Sequence, residues 1–364
     1  MKQRLLVSTR KGLFIFESAA QRWRILQTAF LGVPVSTALF DRRNGRLYAA
    51  LAHGQFGVKL HSSNDGGKRW RELPAPAFPR GARLLGDGKK GGAAVSLLWC
   101  LEAAGADMPG VLWAGTIPAG LFRSNDAGMT WELNKPLWRR PERNEWFGGG
   151  YDDPGLHSIC IDPRDSRRLT VAVSVGGVWC SQNGGRDWSL RGNGMWAEYV
   201  PPSRRKDLRI QDVHRLAQCH LHPEVFWLQH HNAVFRSTDG LARCRELKGI
   251  KASRYGFAVV AHPSDPNTAW FVPMIDDEAR YPVNGRLVVT RTRDGGKTFE
   301  ILSRGLPRRH AYDLVYRHGL DVDSRGECLA MGSTTGSLWL SDDAGESWDC
   351  IAFHLPPIYA VRFA

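Results

Sequence analysis

The chain has 364 residues, 43% of them apolar, with 39 Gly, 20 Pro and 14 Trp, which is enough apolar material for a large core and too much for a disordered segment. Its formal net charge is +13, yet Lys and Arg are dispersed, the one dense cluster is Arg204-Arg205-Lys206, and no helix-turn-helix, zinc-finger or RNA-recognition pattern accompanies them. The balance therefore argues against a nucleic-acid partner and for a solvated basic surface.

No apolar run approaches the ~18 residues that cross a bilayer, so no membrane partner is expected. The first apolar stretch, Leu5-Leu6-Val7, is soon followed by Arg10 and Lys11, which does not fit a secretory leader. Seven Cys, an odd number without a Cys-x-x-Cys pair, read as reduced thiols in strand-like stretches. Together these features lead us to expect a cytoplasmic protein.

In chain order, Arg4-Leu5-Leu6-Val7-Ser8 reads as a strand, and a vestigial turn motif around Ser18 closes at Trp23. The motif is complete in Ser63-Asn64-Asp65-Gly66-Gly67-Lys68-Arg69-Trp70 and again from Ser124 through Asp126 and Gly128 to Trp131. It has Asn for Asp from Ser181 through Asn183 to Trp188, and is worn from Ser237 through Asp239 to Cys244. It returns from Thr292 through Asp294 to Phe299 and from Ser341 through Asp343 to Trp348. The closing positions 23, 70, 131, 188, 244, 299 and 348 are separated by roughly 50–60 residues, about one four-stranded blade each. Blade 4 shows the four strands most clearly, at 157–163, 169–173, 178–181 and 188–190.

This pattern resembles the Asp-box, or BNR, repeat found in sialidases, sortilin-type receptors and photosystem II assembly factors. The resemblance runs nearly the whole length and implies an all-β, seven-bladed β-propeller forming a single domain over 1–364. It says little about activity, because such families contain both enzymes and binding proteins. The box Asp is expected to accept backbone N–H groups in its turn, the closing aromatic to fill the blade interior, and Asp65, Asp126, Asp294 and Asp343 to be non-catalytic. A surplus strand, Ile358-Tyr359-Ala360-Val361-Arg362-Phe363, fits the vacancy beside the first strand and would close the ring. A sialidase would carry an Arg-Ile-Pro-type motif near its start. The nearest segment, Val33-Pro34-Val35, has no Arg, so the expectation is a sialidase-like fold without sialidase activity.

The boxes occupy third-to-fourth turns, on the same face as the Asp-Pro and His-Pro turns at Asp162, His222 and His262. Long loops at 79–94, 137–156, 191–212 and 274–286 all fall on the opposite face, where function is to be sought. Residues entering first strands there should line the mouth of a central channel: His157, Asp212, His214 and Tyr312. Other loops add His53, His230, His231, Asn232, Asp276, Asp277, Arg280 and Tyr281, and the long ones Glu145, Trp146, Asp152, Asp153 and Trp196.

Two functions fit these residues. The first is a binding module that recognises a protein partner, or a carbohydrate-like or small anionic ligand, through His53, Glu145, Trp146, Asp153, His230, His231, Asn232, Arg280, Tyr281 and Tyr312. The second is a glycosyl hydrolase-like enzyme, or a lyase, with Asp212, His214, His157 and Asp277 as catalytic candidates, since glycoside cleavage needs paired carboxylates. The cofactor is left open. A divalent metal is one candidate, held by His157, His214 and His231 with Asp212 as the carboxylate. No Walker loop, nucleotide-binding glycine motif or nucleophile elbow is present.

Overall fold

In the computed structural model, residues 3–19, 22–84 and 92–364 are described; the middle of the predicted 79–94 loop lies outside them. The chain is a seven-bladed β-propeller, with seven four-stranded sheets and, among the described residues, a single four-residue α-helix, Lys135–Trp138. No helix there is long and apolar enough to cross a membrane.

Blade 1 is drawn from both ends of the chain. Ile358–Phe363 pairs antiparallel with Arg4–Thr9, with Leu5 opposite Phe363 and Val7 opposite Val361. The strands Gly12–Ala19 and Arg22–Ala29 complete the sheet. Leu5 and Val7, and Val361 and Phe363, follow the two-residue period of a strand and pack with Leu338 and Leu340 of blade 7; Ile358 joins the same cluster beyond a register shift at Ser8/Thr9. Trp23, the vestigial closing residue, meets the Phe363 ring edge-on at 6.3 Å.

Two compact units are distinguishable. Residues 1–35, 193–195 and 214–364 form one; residues 36–192 and 196–213 form the other. The first is built around Trp270, Trp339 and Trp348, with a second cluster around Trp227, Phe271 and Phe299. The other buries Trp113, Trp146, Trp179 and Trp188 together.

The box turns are fastened as their composition predicts. Ser63 Oγ accepts the Gly67 N–H at 3.0 Å and donates to Asp65, whose Oδ1 accepts the N–H groups of Lys68 and Arg69. Ser124 with Asp126 and Thr292 with Asp294 repeat the arrangement. The worn copy keeps it too: Ser237 Oγ accepts from Leu241 and Asp239 accepts from Arg243. Leu241 stands there at φ 66°, a left-handed conformation that a branched side chain adopts at a cost. Its complete burial offsets that cost. The closing aromatics Trp188, Phe299 and Trp348 are buried, whereas Trp70 and Trp131 are only half-buried. The expectation of an interior aromatic holds fully for three blades.

Candidate functional site

The long loops of the second unit are closed by ion pairs. Glu145 receives Arg204 at 2.6 Å and Arg209 at 3.3 Å, and Asp207 binds the same two guanidinium groups. Hydrogen bonds from Arg209, then from Arg204, hold the Asp207 carboxyl down at about 2, outweighing partial burial. The basic cluster at 204–206 is thus partly neutralised by its own loops. Trp146, expected as a stacking platform for a ligand, is instead a core residue: it is 7% exposed and meets Trp179 edge-on at 5.9 Å. The 3-10 turn Pro141–Glu145 turns it inward.

His157 is fully buried, with Nδ1 2.9 Å from Ser158 Oγ and its ring against Trp99. Asp153 lies half-buried in the adjoining loop, and Trp196 is half-buried as well. His53 caps the short turn Gly54–Phe56 and packs edge-on against Phe56 at 5.0 Å.

In the first unit the candidates come together. His214 lies on the opening strand of blade 5, Val213–Gln218, and is 1% exposed. Its ring stacks on Phe257 at 4.5 Å and meets Tyr255 and His231 edge-on. Its Nδ1 lies 2.7 Å from the Gly256 carbonyl oxygen. A carbonyl only accepts, so Nδ1 carries the proton and Nε2 the lone pair. His231 sits in the turn between the second and third strands of the same blade, Phe226–His230 and Val234–Ser237, with Nε2 3.5 Å from the Asp277 carboxylate. Beside it, His230 and Asn232 are buried and hold the turn: the Asn232 N–H points at His230 Nδ1, 3.4 Å away, and the His230 N–H donates to Ala233 O.

Asp212, the carboxylate candidate, belongs to the other unit, where it is almost fully buried. His157, the third imidazole proposed from sequence, belongs to the other unit, with its ring against Trp99 and its Nδ1 at Ser158.

Outward from His231, the 274–286 loop carries Arg280, Tyr281 and, in its own turn, Asp276, whose Oδ1 accepts the N–H groups of Glu278 and Ala279. Arg280 lies 5.7 Å from the Phe257 ring centre and donates to the Asp277 carbonyl. Tyr281 and Tyr312 are exposed, with ring centres 5.9 Å apart. Arg317, buried, covers Phe257 at 5.0 Å. Sequence reasoning missed Tyr255, Phe257 and Arg317. The signal was available in Tyr255-Gly256-Phe257, which occupies in blade 6 the first-strand position that His157 and His214 occupy in theirs.

A cavity of about 330 Å³ lies on the box face, lined by Arg46, Asp65, Arg69, Trp70, Arg71 and Met129 among others. Its only carboxylate fastens the blade 2 turn, so it offers no free acid or base.

No family model matches the chain. Over 168 residues it is 29% identical to a probable oligoxyloglucan-reducing end-specific xyloglucanase of Neosartorya fischeri, a stretch that is 44% of this chain and 18% of that protein. Over 158 residues it is 30% identical to the oligoxyloglucan-reducing end-specific xyloglucanase of Emericella nidulans, covering 42% and 17%. The chain thus matches under a fifth of the length of these curated relatives.

Among solved structures it is similar to the GH74 xyloglucanase from Xanthomonas campestris, with a TM-score of 0.64 at 17% identity, over 95% of this chain and 52% of the other. It is similar also to YCF48 bound to D1 peptide, with a TM-score of 0.51 at 14% identity, over 87% and 80%. These likenesses are of fold. They fit the Asp-box propeller expected from the repeats.

Proposed function

We propose that the chain is a ligand-binding propeller whose 274–286 loop and neighbouring strand starts recognise a carbohydrate-like ligand. One observation carries the reading: Tyr281 and Tyr312 stand exposed, ring centres 5.9 Å apart, with exposed Arg280 beside Tyr281. An exposed aromatic ring covers the apolar side of a sugar ring, and a guanidinium donates to its hydroxyls or to an acidic substituent. The curated relatives are named for xyloglucan chemistry, which points to neutral β-glucan oligosaccharides as first probes. The YCF48 structure with its D1 peptide makes a peptide the alternative probe.

Calorimetric titration of the full chain with xyloglucan oligosaccharides is the test. Saturable binding that Tyr281→Ala and Tyr312→Ala each weaken about tenfold supports the reading. Wild-type protein that takes no oligosaccharide, or binding indifferent to both changes, removes it.

Glycoside hydrolysis is the second reading. It is favoured by the Asp277 carboxylate 3.5 Å from His231 Nε2, a carboxyl beside an imidazole, since glycoside cleavage needs carboxyl groups as acid and base. Release of reducing sugar that Asp277→Asn abolishes would select it over binding alone.

A further inference from the structure

We infer that the cavity of about 330 Å³ at blade 2 is a binding site for a phosphate or sulfate group carried on a small organic molecule. All of its lining residues belong to the second unit, and the site does not rest on the carbohydrate reading.

The cavity follows from one residue at a repeated position. In blade 6 the second, third and fourth strands set Trp270 opposite Arg291 and Arg291 opposite Glu300. Arg291 is 1% exposed, and Glu300 and Glu346 both bind its guanidinium. Glu346 comes from the box turn of blade 7, and Trp270 Nε1 donates to Ala344 O of that same turn at 2.9 Å. Blade 3 aligns Trp113, Arg123 and Glu132 in this way, and blade 5 aligns Trp227, Arg236 and Arg245. Blade 2 aligns Tyr48, Ser62 and Arg71. Its Tyr48 hydroxyl donates at 3.1 Å to Ala127 O, the counterpart of Ala344. Ser62 thus stands where those three blades place an arginine, and the space that a guanidinium fills in blade 6 is open in blade 2.

The charge around that space is also reversed. In blade 6 a central cation is held by two carboxylates; in blade 2 Arg71 takes the place of Glu300, and Met129 that of Glu346. Residues two apart on a strand share a face, so Arg46 lies on the face of Tyr48, and cross-strand pairing puts Ser62 and Arg71 there as well. Asn64 Oδ1 steadies Arg46 by accepting its Nε–H at 2.8 Å. Arg69 stands at the rim, its side chain 92% exposed. Asp65, the carboxylate of the lining, already accepts the Ser63 hydroxyl and the N–H groups of Lys68 and Arg69. Glu72 turns to the opposite face, where Lys59 binds it at 2.8 Å.

Three guanidinium groups against one engaged carboxylate favour an anion. Guanidinium forks match the oxygens of a phosphate or sulfate. Groups arriving from two strands and a turn surround a tetrahedral head more completely than a planar carboxylate. Buried Ser62, between Arg46 and Arg71, adds a hydroxyl donor. The organic part would rest on Met129, 40% exposed, and on half-buried Trp70. The volume is at the lower end of the range for small-molecule sites, which suits a monoester.

The test is calorimetric titration of the full chain with phenyl phosphate and, separately, with phenyl sulfate at pH 8. We expect one saturable site, tighter for the phosphate, whose second charge is present above a pKa near 6. At pH 5 the phosphate should weaken about tenfold and the sulfate should hold, so the tighter ligand at pH 8 names the source. Arg71→Gln, at an exposed position, should weaken either ligand about tenfold or more. Ser62→Arg, which restores the arginine of blades 3, 5 and 6, should abolish binding, with its thermal melt confirming that it folds. Arg280→Gln, in the first unit, should bind as the wild type does. No saturable binding of either ester by the wild type, binding unchanged in Arg71→Gln or in folded Ser62→Arg, or binding lost in Arg280→Gln would overturn the assignment.

Discussion

His214 Nδ1 donates to the carbonyl oxygen of Gly256 at 2.7 Å, a bond between the opening strands of blades 5 and 6 that fixes both the tautomer and the plane of a buried imidazole. Gly256→Ala should break it. The new Cβ would stand 2.5 Å from Val272 O and 3.4 Å from Gln229 Oε1, so strands must separate. We expect a loss of about 1–3 kcal/mol by denaturant titration. An unchanged melt would mean that the two strands accommodate the methyl group and that the carbonyl is not fixed.

The box carboxylates should behave as fasteners. Asp126 accepts the Thr130 N–H and hydroxyl at 2.8 and 2.6 Å and the Ser124 hydroxyl at 2.8 Å. Asp126→Ala is expected to cost about 1–2 kcal/mol, whereas Asp126→Asn should cost less, because blade 4 already uses Asn183 in that role. Equal melting temperatures for the wild type and the Ala variant would show the turn to be self-sufficient.

Acid stability has two opposed contributions. Hydrogen bonds from the Arg69 backbone hold Asp65 at about 2, and those from the Thr298 side chain and backbone hold Asp294 at about 2. Both values lie below the ordinary carboxylate value near 4. Their stabilisation is present above pH 4 and is lost as pH falls towards 2. Asp321 is the reverse case. Burial pushes it up to about 6, only partly offset by the Phe363 N–H it accepts at 2.8 Å. The folded state keeps its proton longer than the unfolded chain does, so this group favours folding most below pH 4, and stability falls as pH rises from 4 to 6. Asp321→Asn should flatten that interval and leave the acid limb below pH 4 in place, as read by melting temperature against pH.

Deleting residues 357–364 should prevent cooperative folding. It removes Ile358, Val361 and Phe363 from the core shared by blades 1 and 7, roughly 5 kcal/mol of burial against a typical total stability of about 5–15 kcal/mol. It also leaves Arg4–Thr9 as an open edge. A truncated chain that melted sharply near the wild-type temperature would show that blade 1 does not need the strand.

The repeats made the fold legible because each turn repeats one hydrogen-bonding solution. Even the copy with Leu241 in place of Gly kept enough of it, in Ser237 and Asp239, to count as a blade. The surplus strand at 358–363 was legible for the same reason: once seven units are counted, one strand is left over. Side-chain direction in the long loops was not. Trp146 reads as a platform in a polar loop, but the helix Lys135–Trp138 and the turn after it fold that loop back into the core. Nor does any local spacing bring His231 to His214: the meeting depends on how the first strand of blade 5 and the turn after its second strand face each other. Tyr255 and Phe257 read as ordinary strand residues, because their role is to clamp a histidine about forty positions away.

The pairing of Leu5 with Phe363 has a mechanical consequence. The strands Arg4–Thr9 and Ile358–Phe363 run antiparallel, and their outer ends lie at the same end of the sheet. A load pulling residues 4 and 363 apart therefore peels their hydrogen bonds one after another, beginning at Leu5, instead of shearing them all at once. The seam that completes blade 1 is strong against thermal opening, where both strands must leave their shared core together, and weak against tension applied at its two outer ends.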